Sequence, residues 1–337
     1  MNSLLIANLT AFLTLALLRP SAAQELRSAV SASDLVVIAV DSGVRPLAAG
    51  ILLHRLEIRS TLKGDARGQV SVLEHTTLSQ HARPTPAETR LYCLHELRKD
   101  QVPAGLPETL SPFFKLDGRV GGNPLLSTPF EADPLVELAK VVVAADGGLD
   151  TQRTADRLHA LALFGRPAVR IEAVRMLTER VAAMGKLTPM QWSELVTRAV
   201  GELEDIPYKI ALAELCAEKK LPALVDQLSL CVDQVQDRRF AETLGRIAKA
   251  IHGDSAHEAL LPALRRARSP ETKGMLWLAL GATSTEGASK LLLEAERNEP
   301  KGNRWLKAAL RMHGGKEASE ALARRTDSRP TQDSRGR

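Results

Sequence analysis

The sequence predicts an α+β multidomain protein in which a small N-terminal β-barrel or sandwich is followed by an α-solenoid of helical pairs. Two observations carry this prediction. In the second half of the chain, apolar residues recur at i, i+3, i+4 in five triads that lie 39, 32, 32 and 30 residues apart. Between residues 34 and 116 the apolar residues instead alternate with a period of two, which is typical of strands.

The first 23 residues have the pattern of a secretory signal peptide. A run of fifteen mostly apolar residues, Leu4–Leu18, precedes the small residues Ser21–Ala23, and this run is shorter than a bilayer-spanning helix needs. We therefore expect cleavage before Gln24, export to the periplasm or the medium, and no stable membrane span after cleavage. Because the start of the chain lacks Lys and Arg, anchoring by an uncleaved signal stays open as the alternative.

Residues 24–116 are predicted to form a β-barrel-like domain. Its five candidate strands are Asp34–Val40, Ile51–Arg59, Gln69–Glu74, Thr89–Leu97 and Phe113–Leu116. Closure into a barrel or sandwich would remove their exposed edges. A long second strand that ends in TLKG and a later core strand, LYCLHEL, resemble the OB-like or netrin-like barrels of exported bacterial proteins. Netrin-like inhibitors act through an N-terminal cysteine, where this chain has Gln24-Glu25.

Residues 117–133, which are rich in Gly and Pro, are expected to be a linker, and residues 134–325 the helical region. A first helical pair, 135–145 and 154–164, is expected to cap the stack. The first helices of the later pairs carry the triads Ala173/Met176/Leu177, Leu212/Leu215/Cys216, Leu244/Ile247/Ala248, Leu276/Ala279/Leu280 and Leu306/Ala309/Leu310. The second helices are expected to begin near Pro189, Leu221, Ser255, Thr285 and Lys316.

Gly and Pro residues predict where these helices end. Turns are expected at Gly185, Gly253, Gly281 and Gly314-Gly315. Pro262 falls inside a second-helix pattern, where it is expected to start or kink a helix.

The helix, turn and helix units resemble HEAT repeats, particularly the short bacterial form in which a helix ends in Leu-Gly or a similar pair. The resemblance implies a protein-binding superhelix without catalysis in its repeats, and we expect the partner to lie on a concave face along the second helices. An ordinary globular helical domain is the alternative interpretation.

The charge distribution argues against a nucleic-acid partner. The net charge is +5, but the stretch from Arg324 to Arg337 contains five Arg and two Asp, and Arg19 in the leader adds one more positive charge. Aromatic residues, which stack on bases, make up only 3% of the chain. We expect residues 326–337 to be a disordered basic tail and the partner to be a protein.

No sequence pattern indicates catalysis. The chain has no GxSxG, no P-loop and no GxGxxG after a strand, so we predict a protein that is not an enzyme, with no cofactor and no assignable catalytic or binding residue. We expect Cys216 and Cys231 to be free, buried thiols, because they lie at different distances from their shared turn. The remaining cysteine is Cys93.

A small-ligand or metal site in the β domain, with the helical region as an accessory, is the alternative function. Its candidate ligands are His54, His75, His81 and His95. Against this, His54 and His95 fall on apolar strand faces, where a histidine is more often packed and hydrogen-bonded than metal-ligating. Trp192, Trp277 and Trp305 are candidate binding anchors, although Trp277 and Trp305 adjoin triads and are better explained by packing between repeats.

Overall fold

The computed structural model describes residues 22–48, 50–75, 88–104, 106, 110, 112–117, 124–127, 129–148, 151–201, 205–299 and 303–327. The predicted leader before Ala22, His81 and most of the basic tail lie outside these residues, and of His75 only the backbone is described. The chain divides into two compact units, Met1–Leu187 and Thr188–Arg337, which are treated separately below.

A closed five-stranded barrel forms the β part of the first unit. Its strands are β1 Leu35–Ala48, β2 Ile51–Lys63, β3 Gln69–His75, β4 Thr89–Glu96 and β5 Phe113–Leu116. The strand order is β1-β2-β3-β5-β4, with β3 and β5 parallel and the other neighbours antiparallel. All five predicted strands and the small barrel are confirmed; β1 and β2 are longer than predicted. Irregularities of register interrupt the pairing of β1 with β2, whereas β1 pairs with β4 in unbroken register.

Alternate side chains of each strand fill the barrel interior, as the period of two requires. This core consists of Leu35, Val37, Ala39, Leu56, Val70, Val72, Tyr92, Leu94, Phe114 and Leu116. On the opposite strand face, Leu53, Leu73 and Phe113 form a second apolar cluster that is covered by residues from the segment between β4 and β5.

The helices of the first unit are α1 Ala22–Ala32, α2 Pro134–Asp146, α3 Thr151–Phe164, α4 Pro167–Glu179 and α5 Val181–Met184. Helices α2 and α3 confirm the predicted first pair. Helix α1 was not predicted, although its apolar positions repeat at helical spacing. It packs on α2 and α4 with Ala23, Leu26, Ala29 and Val30, which are all fully buried.

Two cationic side chains fix α1 within this unit. Arg27 Nη1 donates a hydrogen bond of 2.9 Å to Glu172 Oε1 on α4, and Arg27 Nη2 also pairs with Glu179. Lys63 Nζ at the end of β2 donates to the carbonyl oxygens of Val30 and Ser31, at 3.1 and 2.9 Å. These carbonyls belong to the last turn of α1, where a positive charge is favourable.

The second unit consists of helices throughout its described residues. They are α6 Pro189–Gly201, α7 Ile206–Ala217, α8 Pro222–Val235, α9 Arg238–His252, α10 Ala256–Arg266, α11 Pro270–Thr283, α12 Glu286–Asn298, α13 Arg304–His313 and α14 Lys316–Asp327. The predicted starts of the second helices are correct to within one residue. Several helices begin at a polar cap whose side chain accepts a hydrogen bond from the first turn: Asp205, Asp237, Ser269, Thr285 and Asn303.

Helices α9, α11 and α13 contact one another in order, and glycines let two of these contacts become very close. A Cβ atom on Gly245 of α9 would lie 2.1 Å from the carbonyl oxygen of Ala279 on α11. A Cβ atom on Gly281 of α11 would lie 2.5 Å from the carbonyl oxygen of Ala309 on α13. Only hydrogen fits at either position.

The structure overturns one sequence prediction about helix ends and decides one part of another. Gly281 is not a turn residue, because α11 continues to Thr283 and ends with Ser284 in the left-handed region, at φ 49°. Pro262 does not start a helix, because α10 begins at Ala256 and runs through it. Pro262 is exposed, so water can hydrate the carbonyl group that the missing N–H leaves without a partner.

Candidate functional site

An open groove crosses the outward faces of α9, α11 and α13 in the second unit. It encloses about 510 Å³ and is lined by Arg238, Glu242, Arg246, Ala282, Ser284, Ala308, Arg311 and Met312. The three α9 residues stand at i, i+4 and i+8, and the three α13 residues at i, i+3 and i+4, so each set shares one helix face. Between these two sets, the short side chains of Ala282 and Ser284 keep the groove open over the end of α11.

Three guanidinium groups and one carboxylate line this groove. Arg238 Nε donates to Glu242 Oε1 at 2.6 Å, and Arg246 Nη2 donates to Glu214 Oε1 at 3.0 Å and to Thr243 Oγ1 at 2.9 Å. Both arginine side chains are 63% exposed. Arg311 is exposed and has no side-chain partner among the residues that the structure describes. The lining therefore carries an excess of positive charge.

A buried polar cluster, made of Asp41, His54 and Glu74, closes one part of the barrel interior in the first unit. His54 Nδ1 lies 2.8 Å from Asp41 Oδ2, and His54 Nε2 lies 2.7 Å from Glu74 Oε2. The three side chains are each at most 2% exposed. They continue the inward-facing series of β1, β2 and β3, so the barrel register itself brings them together.

The buried polar cluster favours the protonated form of His54. Burial lowers the pKa of His54, but the hydrogen bond and charge of Asp41, together with the charge and hydrogen bond of Glu74, outweigh it and raise the pKa above its usual 6.5. A carboxylate oxygen lies within hydrogen-bond distance of each ring nitrogen, so both nitrogens have an acceptor when the ring is protonated. Glu74 Oε1 and the Tyr92 hydroxyl are buried nearby without hydrogen-bond partners. The cluster is closed to solvent and joins three strands.

The structure does not bring together His54 and His95, the two candidate histidine ligands whose side chains it describes. His54 lies opposite Val44, whereas Leu94, the neighbour of His95, lies opposite Leu35, so the two histidines are at opposite ends of β1. His95 Nε2 is 3.0 Å from Asp117 Oδ2. Within the described ranges, no group of three or more His, Cys, Asp or Glu side chains is arranged to hold a metal ion. The His75 side chain and all of His81 fall outside the described residues.

The three cysteines are buried and form no disulfide, as we expected for Cys216 and Cys231. Burial raises the pKa of Cys216 to about 12, which keeps it a thiol at neutral pH. Cys231 Sγ donates to the Val200 carbonyl oxygen at 3.1 Å, and the fully buried Lys209 Nζ lies 3.8 Å from the same sulfur. Neither thiol is placed for nucleophilic chemistry.

Two of the three tryptophans pack between helices. Trp277 is buried, and the Trp305 ring lies against Gly274, where a Cβ atom would come within 2.4 Å of the indole. Trp192 of α6 instead lines a second, more apolar groove of about 600 Å³, and Lys219 Nζ lies 4.8 Å from its ring centre. Packing therefore explains Trp277 and Trp305, as the sequence indicated.

Comparisons with protein-family models, with curated proteins and with solved structures found no match for this chain. Among the described helices, none has both the length and the apolar composition that a membrane-crossing helix requires. The arginine-lined groove was missed at the level of sequence. The feature of the sequence that indicates this groove is the i, i+4, i+8 spacing of Arg238, Glu242 and Arg246, which puts them on one helix face.

Proposed function

We propose that this chain is an exported, non-enzymatic scaffold for protein–protein interaction, whose HEAT-like helical repeats provide the binding surface. The observation that carries the proposal is the row formed by α9, α11 and α13, whose outward faces share one open groove. A surface built from successive similar helices suits a partner that makes many modest contacts along it.

Packing within the second unit favours the first helices as the concave side. In the row of α9, α11 and α13, Gly245 and Gly281 allow backbone to approach backbone. Between α10 and α12, the space next to Gly287 is instead filled by the His257 ring. Closer spacing on one side of a stack curves it toward that side. We therefore place the partner along the first helices, in contrast to the second helices expected from the sequence.

A further observation concerns the barrel. Its closed strand order β1-β2-β3-β5-β4 with parallel β3 and β5 supports the OB-like resemblance. For the metal-site form of the alternative, no group of three or more His, Cys, Asp or Glu side chains among the described residues is arranged to hold an ion.

A pair of tryptophan substitutions tests the binding surface. Ala308→Trp places an indole in the groove, whereas Leu230→Trp changes a residue of α8 that is 57% exposed outside it. We expect affinity-tagged full chain and its Leu230→Trp variant to capture the same protein from envelope extract, and Ala308→Trp to lose it while unfolding at the same temperature. Capture by all three alike would contradict the proposal.

A further inference from the structure

We infer that the groove on α9, α11 and α13 binds an acidic segment of its protein partner, with carboxylates of that segment pairing with Arg246 and Arg311. This inference rests on the proposed function, because it names the chemistry of the partner at the same surface. It rests on the positive charge of the groove lining and on the arginine N–H donors that make no hydrogen bond within the described residues.

The arginines of the groove lining have N–H donors that remain available to a ligand. A guanidinium group has five N–H donors in a fixed fork and can hold a carboxylate through two parallel hydrogen bonds. Arg246 uses Nη2 for its contacts with Glu214 and Thr243, and Arg311 makes no side-chain hydrogen bond or ion pair with any described residue. Glu242 is paired with Arg238 and Glu214 with Arg246, so Arg311 is the lining arginine whose charge no described carboxylate offsets. An incoming carboxylate therefore meets one net positive charge at Arg311 and N–H donors of Arg246 that are still available.

The shape and composition of the groove favour a polypeptide over a nucleic acid. Its volume of about 510 Å³ lies within the usual range for ligand clefts, and Ala282, Ser284 and Ala308 leave room for a main chain. No aromatic side chain is among the described residues that line the groove, so unpaired bases would have no platform on which to stack there. The apolar part of Met312 adds a contact for a partner side chain next to the arginines.

The test is fluorescence anisotropy of a fluorescein-labelled hexaglutamate peptide with the full chain. We expect saturable binding that weakens when salt is raised from about 50 to about 300 mM. The variant Arg246→Glu/Arg311→Glu should bind the peptide at least about tenfold more weakly, because it replaces two attractions by two repulsions.

A matched control separates the groove from overall charge. Arg265→Glu/Arg268→Glu changes the net charge equally at exposed positions outside the groove lining, so it should keep peptide affinity within about twofold. Arg311→Gln, which removes one unpartnered exposed charge and should leave the thermal unfolding unchanged, should by itself weaken binding measurably. Each of three results would overturn the inference. They are equal weakening of peptide binding by the two double variants, no effect of Arg311→Gln on peptide affinity, and binding of an unlabelled thymidine 12-mer at the groove arginines that is tighter than binding of the peptide.

The outcome also separates this inference from the proposed function. If Ala308→Trp abolishes capture of a protein but hexaglutamate does not bind, the acidic-partner inference fails and the binding scaffold stands. If capture does not depend on Ala308, the proposed function itself fails.

Discussion

At the scale of single residues, the buried polar cluster of Asp41, His54 and Glu74 is the most demanding feature of the barrel. Its three side chains are closed to solvent, and His54 lies between the two carboxylates, 2.8 Å from Asp41 and 2.7 Å from Glu74. Removing one partner of a buried ion cluster is costly, because the remaining charges stay desolvated. The cluster therefore constrains β1, β2 and β3 to one register.

The first prediction concerns loss of the central imidazolium. His54→Leu leaves two facing carboxylates without their shared donor, and we expect it to lower the free energy of unfolding by about 3–5 kcal/mol in urea denaturation. Replacing the carboxylates by amides in the same chain, as Asp41→Asn/His54→Leu/Glu74→Gln, should recover more than half of this loss. A triple variant no more stable than His54→Leu would show that charge is not the cause.

The second prediction concerns pH. Because the folded state raises the pKa of His54 above 6.5, its contribution to stability is complete below the unfolded pKa and falls as pH rises through the folded pKa. The stability difference between wild type and His54→Gln should therefore be largest near pH 6 and shrink toward alkaline pH. Urea midpoints of both proteins across this range measure it. A difference that does not change with pH would mean that folding leaves the pKa of His54 unshifted.

At the scale of helices and strands, the third prediction concerns the close packing of α9 against α11. Gly245→Ala forces a methyl group against the backbone of α11, and we expect a loss of about 1–3 kcal/mol or more. Gly201→Ala at the end of α6 is the control, since nothing lies within 4 Å of its added Cβ atom, and its effect should stay within about 0.5 kcal/mol. Similar thermal unfolding of the two variants would contradict the close packing.

Much of the element order could be predicted from local periodicity. The alternation in residues 51–59 and the triads such as Leu276/Ala279/Leu280 each follow from burying one face, so strands and helices were found nearly in place. Helix α1 was missed because it adjoins the leader and the period changes within a few residues. Gly281 was misinterpreted because a glycine that ends a helix and a glycine that admits a neighbouring helix look alike in sequence.

The site could be predicted much less well, because its residues come together only through packing. His54 was expected to be packed and hydrogen-bonded, yet its partners Asp41 and Glu74 follow from barrel register, which no local pattern specifies. Likewise, Arg246 and Arg311 lie on different helices, and only the stacking of α9, α11 and α13 places them on one groove.

At the scale of the whole molecule, the two compact units use charge in different ways. The first encloses a fully buried ion cluster inside its barrel, where no partner can reach it. The second presents arginines that are largely exposed around an open groove. Buried charge serves structure, whereas exposed and uncompensated charge attracts a partner. We therefore propose the second unit as the one that binds the partner.

The most direct test of this assignment is site-specific photo-crosslinking with the full chain in envelope extract. A benzophenone amino acid replaces Met312, which lines the groove, or Leu230, which is exposed on α8 outside it. The account predicts one discrete protein adduct from position 312, none from position 230, and loss of that adduct in the Arg246→Glu/Arg311→Glu background. Equal adducts from both positions, or a captured protein that never crosslinks to position 312, would contradict it.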